Sequence, residues 1–286
     1  MAVNLQARAL PALAGWSWIS GGFALFRRNP PLMTALTMGY LLVMVFLNIV
    51  PLIGPVLVAV CLPVMSVIVF NGARLLDKQL DVSTEVLKTG LAENLRPLVQ
   101  LGFVHLAGSL VVVLIHTLLF AAPDVPLAEA DEEAFTRTLM QLLPLVLPLI
   151  LIMWFPPYLI ATQGIKLGKA LFFGAVAVLR NAGAFIVYFA GAAVLGVGLP
   201  VLVIQLIGND EGIASLLRIG VRMTLLFVLV PTLAASLYVS FQQVFAQLPE
   251  PEPEPEAEAE ADSEPDLEPD ARSGPDSGPR KDAADE

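Results

Sequence analysis

The sequence predicts an all-α polytopic membrane protein: about six transmembrane helices in three hairpins, each preceded by an amphipathic interfacial helix, and a disordered acidic C-terminal tail. Three observations carry this. Charged residues make up 15% of the chain, against about 25% in a soluble domain. Mean hydropathy is +0.75. The charge that is present is uneven: residues 250–286 hold 15 of the 26 acidic residues and only 3 of the 16 basic ones. The net charge of −10 is therefore a property of the tail.

The spans follow from the uncharged runs. Between Arg28 and Arg74 lie 45 residues without a charge, about 68 Å of helix and twice what a bilayer core needs. The run must fold back, and Asn48, Pro51, Gly54 and Pro55 supply the turn. Four further runs of 27 to 29 residues follow Arg96, Arg137, Arg180 and Arg222. The predicted spans are 31–49, 52–70, 98–121, 141–162, 184–207 and 223–246. The domain boundaries are 1–30 for a cytoplasmic N-terminal segment, 31–248 for the membrane domain and 249–286 for the tail.

Six spans put both termini on one side. With the N-terminus inside, thirteen basic residues are cytoplasmic and only Arg137, Arg218 and Arg222 are outside, the asymmetry of the positive-inside rule. Asp124, Glu129, Asp131, Glu132 and Glu133 then fall in an outer connection. Residues Met1 to Ser20 lack the pattern of a cleaved signal peptide.

Each hairpin follows a cytoplasmic amphipathic segment. In the first, Trp16, Ile19, Phe23 and Phe26 recur at helical spacing and Arg27 and Arg28 close the segment. Asn29 before Pro30 reads as an N-cap with proline at the first helical position. The second, Ser83 to Pro97, has Leu87, Leu91 and Leu95 on one stripe. The third, Gly164 to Gly183, has Leu167, Leu171 and Val178 on one face and Lys166, Lys169 and Arg180 as its cations. Trp16, Phe23, Arg27, Arg28, Lys166, Lys169 and Arg180 are accordingly expected in the headgroup layer. The residues leave open whether the three units are a duplication or the common grammar of membrane insertion.

Gly15-Trp16-x-Trp18-Ile19, followed by Gly22-Phe23-x-Leu25-Phe26-Arg27-Arg28-Asn29-Pro30, resembles the start of an uncharacterised family of multi-pass proteobacterial inner-membrane proteins. Asn48-x-x-Pro51-x-Ile53-Gly54 and Leu179-Arg180-Asn181 are similar to it as well. The resemblance covers most of residues 6–246 and implies location and architecture, with no activity and no cofactor. The layout is also loosely similar to the membrane domains attached to some glycerophosphodiesterases, without their catalytic domain.

Chemistry is sparse. His105 and His116 share a face of the third span but lie about 16 Å apart along the axis, too far for one metal. Gly164 to Ala170 lacks the spacing and the hydroxyl of a phosphate loop. A single cysteine, Cys61, excludes an internal disulfide and a cysteine-based zinc site. No basic arm suits a nucleic acid. Asn48, Gln100, His105, His116 and Gln205 are the candidate polar intramembrane positions. Pro144, Pro148, Pro156, Pro157, Pro200 and Pro231 interrupt the last three spans, and interrupted spans are where transporters hold substrate. The expectation is a non-catalytic membrane protein for membrane interaction or envelope maintenance, without cofactor, metal or catalytic residues, its partner the bilayer with its anionic cytoplasmic headgroups. The alternative is a transporter or channel for a small or lipidic solute.

The charge asymmetry makes a direct prediction. Alkaline phosphatase fused within 124–136 is active, and fused at 76–90 or after 250 it is inactive; the reverse pattern refutes the orientation.

Overall fold

Among the described residues, six helices are long and apolar enough to cross a membrane: Pro30–Asn48, Gly54–Lys78, Leu95–Leu119, Thr136–Gln163, Ala182–Ile207 and Ala214–Val244. The computed structural model describes residues 7–120, 132–207 and 212–246. The acidic tail expected at 249–286, and Asp124, Glu129 and Asp131 of the expected outer connection, lie outside the described residues. Helices α1 (Ala14–Arg28), α2 (Pro30–Asn48) and α3 (Gly54–Lys78) are followed by a short α4 (Thr84–Lys88), α5 (Leu95–Leu119), α6 (Glu132–Met153), α7 (Pro156–Gln163) and α8 (Leu167–Arg180). Two compound spans complete the chain. The first is α9 (Ala182–Ala193), a π-helical segment at Val194–Gly198 and α10 (Leu199–Ile207). The second is α11 (Ile213–Thr224), a π-helical segment at Leu225–Leu229 and α12 (Val230–Val244). The architecture is all-α and polytopic, three hairpins in sequence.

An asparagine stands at the N-cap of the first helix of every hairpin: Asn29 before α2, Asn94 before α5 and Asn181 before α9. Only Asn29 caps in the usual way, its Oδ1 accepting from the Leu32 N–H at 3.1 Å. Asn181 instead ties down the chain start. Its Nδ2 donates to the carbonyls of Arg8 at 2.9 Å and Ala177 at 2.8 Å, and its Oδ1 accepts from the Leu10 N–H at 2.9 Å. The Arg8 N–H reaches the Val244 carbonyl at 2.9 Å, so residues 8–10 are fastened to both ends of the third hairpin.

The second amphipathic segment is shorter than the stripe over Ser83 to Pro97 suggests. It is helical only over Thr84–Lys88 and then turns. Gly90 sits at φ +74° with its α-carbon against the Ala161 backbone, a conformation and an approach that only glycine allows. Asn71 holds the segment in place by donating to the carbonyls of Leu87 at 2.9 Å and Thr89 at 3.0 Å.

Four of the six prolines act as the sequence suggests, whereas Pro144 and Pro148 lie inside α6 without interrupting it. Pro156 and Pro157 restart the fourth span after a break at Trp154 and Phe155. Pro200 and Pro231 each stand two residues beyond a π-helical segment. Proline cannot bond the carbonyl four residues back and its ring pushes that carbonyl away, which a wider turn accommodates. The carbonyl released by Pro231 is that of Phe227, and it accepts the Thr34 hydroxyl of α2 at 3.3 Å.

The core lies at the end of the bundle where α1, α4 and α8 sit. There the second helices of the three hairpins meet through Phe70, Tyr158, Tyr238 and Phe241. Phe70 stacks on Tyr158 at 4.3 Å between centroids and meets Tyr238 and Phe241 edge-on at 5.2 and 5.3 Å. At the other end the helices expose Phe46, Leu110, Leu118, Leu143, Leu206 and Leu216, side chains suited to hydrocarbon rather than to a neighbouring helix.

Helix α1 is wedged between α9 and α12. Gly15 lies against the Ala184 carbonyl and the Tyr188 amide, and Gly22 against the Thr232 carbonyl and the Ser236 amide. Trp18 is fully buried between them, 5.1 Å from Phe185, its indole N–H donating to Gln243 Oε1 at 3.1 Å. A side chain at Gly22 would place its Cβ 2.8 Å from the Ser236 nitrogen. Gly22→Val is therefore expected to cost about 1–3 kcal/mol, read as a lower melting temperature and red-shifted tryptophan emission in lipid nanodiscs. Gly39→Ala, where an added Cβ meets nothing within 4 Å, should leave both unchanged or raise the melting point.

Candidate functional site

The five polar positions expected in the spans do not assemble into one site. Asn48, Gln100 and Gln205 are exposed, at three different helices. His105 is half-buried on α5, with Nδ1 unpartnered. His116 alone finds a partner from another helix, Gln141 Oε1 of α6 at 3.3 Å from Nε2. Among the described residues, no group of three or more histidine, cysteine, aspartate or glutamate side chains could hold a metal.

The residues expected in the headgroup layer divide. Lys166, Lys169 and Arg180 are exposed around α8, which buries Ala170, Gly174, Ala177 and Val178 on its other face. Arg28 turns inward along α3, donating to the carbonyls of Leu76 at 2.8 Å and Asp77 at 3.2 Å, with the Asp77 carboxylate 3.6 Å away. Asp77 in turn accepts from the Tyr238 hydroxyl at 2.8 Å, so Arg28 belongs to the join between α1, α3 and α12. Arg27 is exposed, its guanidinium carbon 5.1 Å from the Phe23 ring centroid, a cation–π contact. The stripe Trp16, Ile19, Phe23 and Phe26 is not one uniform face. Ile19 and Phe26 are buried, whereas Trp16 and Phe23 are 50% and 42% exposed.

What Trp16, Ile19 and Phe23 share is a cavity of about 760 Å³. Its walls are α1, the compound span of α9 and α10 (Leu195, Leu199, Pro200, Val203), and the compound span of α11 and α12 (Leu216, Gly220, Val228, Thr232). Both π-helical segments contribute to it. The widened turns before Pro200 and Pro231 thus sit where the third hairpin opens. The lining holds no charged side chain, histidine or cysteine; Ser20, Thr224 and Thr232 are its hydroxyls. A volume of this size is within the range of about 300–1,000 Å³ typical of small-molecule sites. Thr232 is buried, and its hydroxyl has no hydrogen-bond partner among the described residues.

A smaller cavity of about 290 Å³ lies between the hairpins, lined among others by Thr37, Tyr40, Ser66, Trp154 and Tyr188. Its aromatic wall is firmly held. Trp154 donates to Ser240 Oγ at 3.1 Å, and the Tyr188 hydroxyl pairs with Ser236 Oγ at 2.8 Å.

Neither cavity was legible in the sequence. The interruptions at Pro200 and Pro231 were the signal for the larger one, together with Gly220 on a helix whose other face carries Arg218 and Arg222. Asn71 and Thr232 gave no signal, because each acts through a partner distant in the chain or through the lack of one.

No protein-family model matches the chain, and no solved structure matches it. It is similar to a probable inner membrane protein of Burkholderia thailandensis, 29% identical over 257 residues that cover 82% of this chain and 92% of the relative. With that likeness and six apolar helices of membrane-spanning length, the chain is an integral, multi-pass protein of the inner membrane.

Proposed function

We propose that this chain is a non-catalytic inner-membrane protein with a role in membrane interaction or envelope maintenance. Both termini lie in the cytoplasm, and the basic end of the bundle rests on anionic headgroups. The observation that carries the reading is the scattering of the five polar positions expected inside the spans; Asp77 and Tyr238, which do pair at 2.8 Å, tie α3 to α12 beside Arg28. Asn48, Gln100, His105, His116 and Gln205 lie apart, and among the described residues the one hydrogen bond from either histidine side chain to another helix is that of His116 with Gln141. General acid–base or nucleophilic work needs two such groups within hydrogen-bond reach. Lys166, Lys169 and Arg180, exposed around α8, support the placement of that end against anionic lipid, each worth about 1 kcal/mol there.

A second reading, carriage of a lipidic solute, is favoured by the cavity beside α1, whose lining carries no charge. A small polar or charged solute would find no matching partner in it.

The test uses a deletion strain challenged with envelope stresses and complemented by variants. The double variant His105→Leu, His116→Leu, which removes both histidines of the chain, is expected to complement as well as the unaltered protein. Failure to complement at normal membrane level overturns the non-catalytic reading.

A further inference from the structure

We propose that the cavity beside α1 is a binding site for one anionic phospholipid, with an acyl chain between α1 and the opened third hairpin and the phosphate on Arg27. The proposal depends on the chain lying in a bilayer and not on the absence of catalysis, so it survives failure of the function proposed above.

The occupant follows from chemistry. A space of about 760 Å³ walled by Trp16, Ile19, Phe23, Leu199, Val203 and Leu216 offers water almost nothing to bond, and apolar cavities of this kind stay dry. Left empty it would forfeit the dispersion contacts of its whole lining. Within a bilayer the abundant molecule that fits an apolar, laterally open space is hydrocarbon.

One polar feature narrows this to a phospholipid with net negative charge: Arg27, exposed and held over Phe23, a ring of the cavity wall. A chain lying on Phe23 brings its headgroup under that guanidinium, whose fork suits a phosphate.

Gly220 permits a clean test. It lines the cavity, and an added Cβ meets nothing within 4 Å. Gly220→Leu starts from a Cβ that meets no neighbour, is expected to fill the space, and replaces glycine in a helix by a better helix former. Full-length protein is purified from native membranes and exchanged into nanodiscs containing equal phosphatidylglycerol and phosphatidylethanolamine. It is then released into mild detergent, and its retained lipid is identified by native mass spectrometry.

The unaltered protein should retain one phospholipid, predominantly phosphatidylglycerol. Gly220→Leu should lose it while melting at or above the original temperature. Arg27→Gln should lower the preference for phosphatidylglycerol about fivefold, the effect of one cation near anionic lipid. Arg180→Gln, exposed at the end of α8 away from the cavity, should leave the lipid retained in detergent unchanged, because its own headgroup contacts exchange freely with the bilayer and are lost on release. Retention by Gly220→Leu equal to the original overturns the site, as does an original protein that carries no lipid. Equal losses in Arg27→Gln and Arg180→Gln reduce the effect to general surface attraction and overturn the assignment of Arg27. Should Gly220→Leu not fold, Leu217→Trp fills the same space from a half-exposed position, and the same outcomes apply.

Discussion

The meeting of three return helices at Phe70 organises this molecule. In a bilayer the hydrophobic effect does not drive one helix onto another, because lipid tails are as apolar as leucine. Close packing and neutral hydrogen bonds must do so instead. Phe70 of α3 stacks on Tyr158 of α7 and abuts Tyr238 and Phe241 of α12, so one ring joins all three hairpins. The polar tips of the cluster are satisfied locally: the Tyr238 hydroxyl donates to Asp77, and Gln242 donates to that hydroxyl at 3.2 Å. Asp77 also approaches Arg28, which brings the end of α1 into the same join.

Concentrating the packing at one end has a consequence at the other. Helices fastened near Phe70 and fanning from it need not touch along their remaining length, and Pro200 and Pro231 widen two of them at matching points. Where α2 is close, the released Phe227 carbonyl is recovered by Thr34. Where no helix is close, the third hairpin opens into the cavity beside α1. The π-helical segments and the cavity therefore have one cause: a proline placed where neighbouring side chains are thin.

The spans were legible because the relevant physics is local. A charge cannot lie unpaired in hydrocarbon, so uncharged runs of 27 residues or more mark the crossings directly. The N-cap position of Asn29 was legible for a similar reason, being a boundary signal beside a proline. The role of Asn181 was not, since its partners Arg8 and Leu10 lie 173 and 171 residues away. Helix α1 shows the limit most clearly. Trp16, Ile19, Phe23 and Phe26 were read as a stripe; the first three share a surface, that of the cavity, and Phe26 is buried away from it. The opposite surface, with Gly15, Trp18 and Gly22, carries the packing, but small residues contribute little to a hydrophobic pattern. A glycine that admits a neighbouring backbone and a glycine that merely loosens a helix look alike in sequence.

The comparison of α1 with α8 shows what the first helix adds. Both end in arginine, and both bury small residues, Gly15 and Gly22 in one and Ala170, Gly174 and Ala177 in the other. On α8 two large side chains, Phe172 and Leu179, are exposed at 64% and 76%, as suits a helix lying at a membrane surface, while Leu167, Leu171 and Phe173 pack against the core. On α1 the corresponding side chains, Trp16 and Phe23, turn into the space under the third hairpin. One helix thus has two working faces, a tight one that closes the bundle and an aromatic one that walls the cavity. Because Arg27 lies over Phe23, the same helix also carries a positive charge to the cavity's rim.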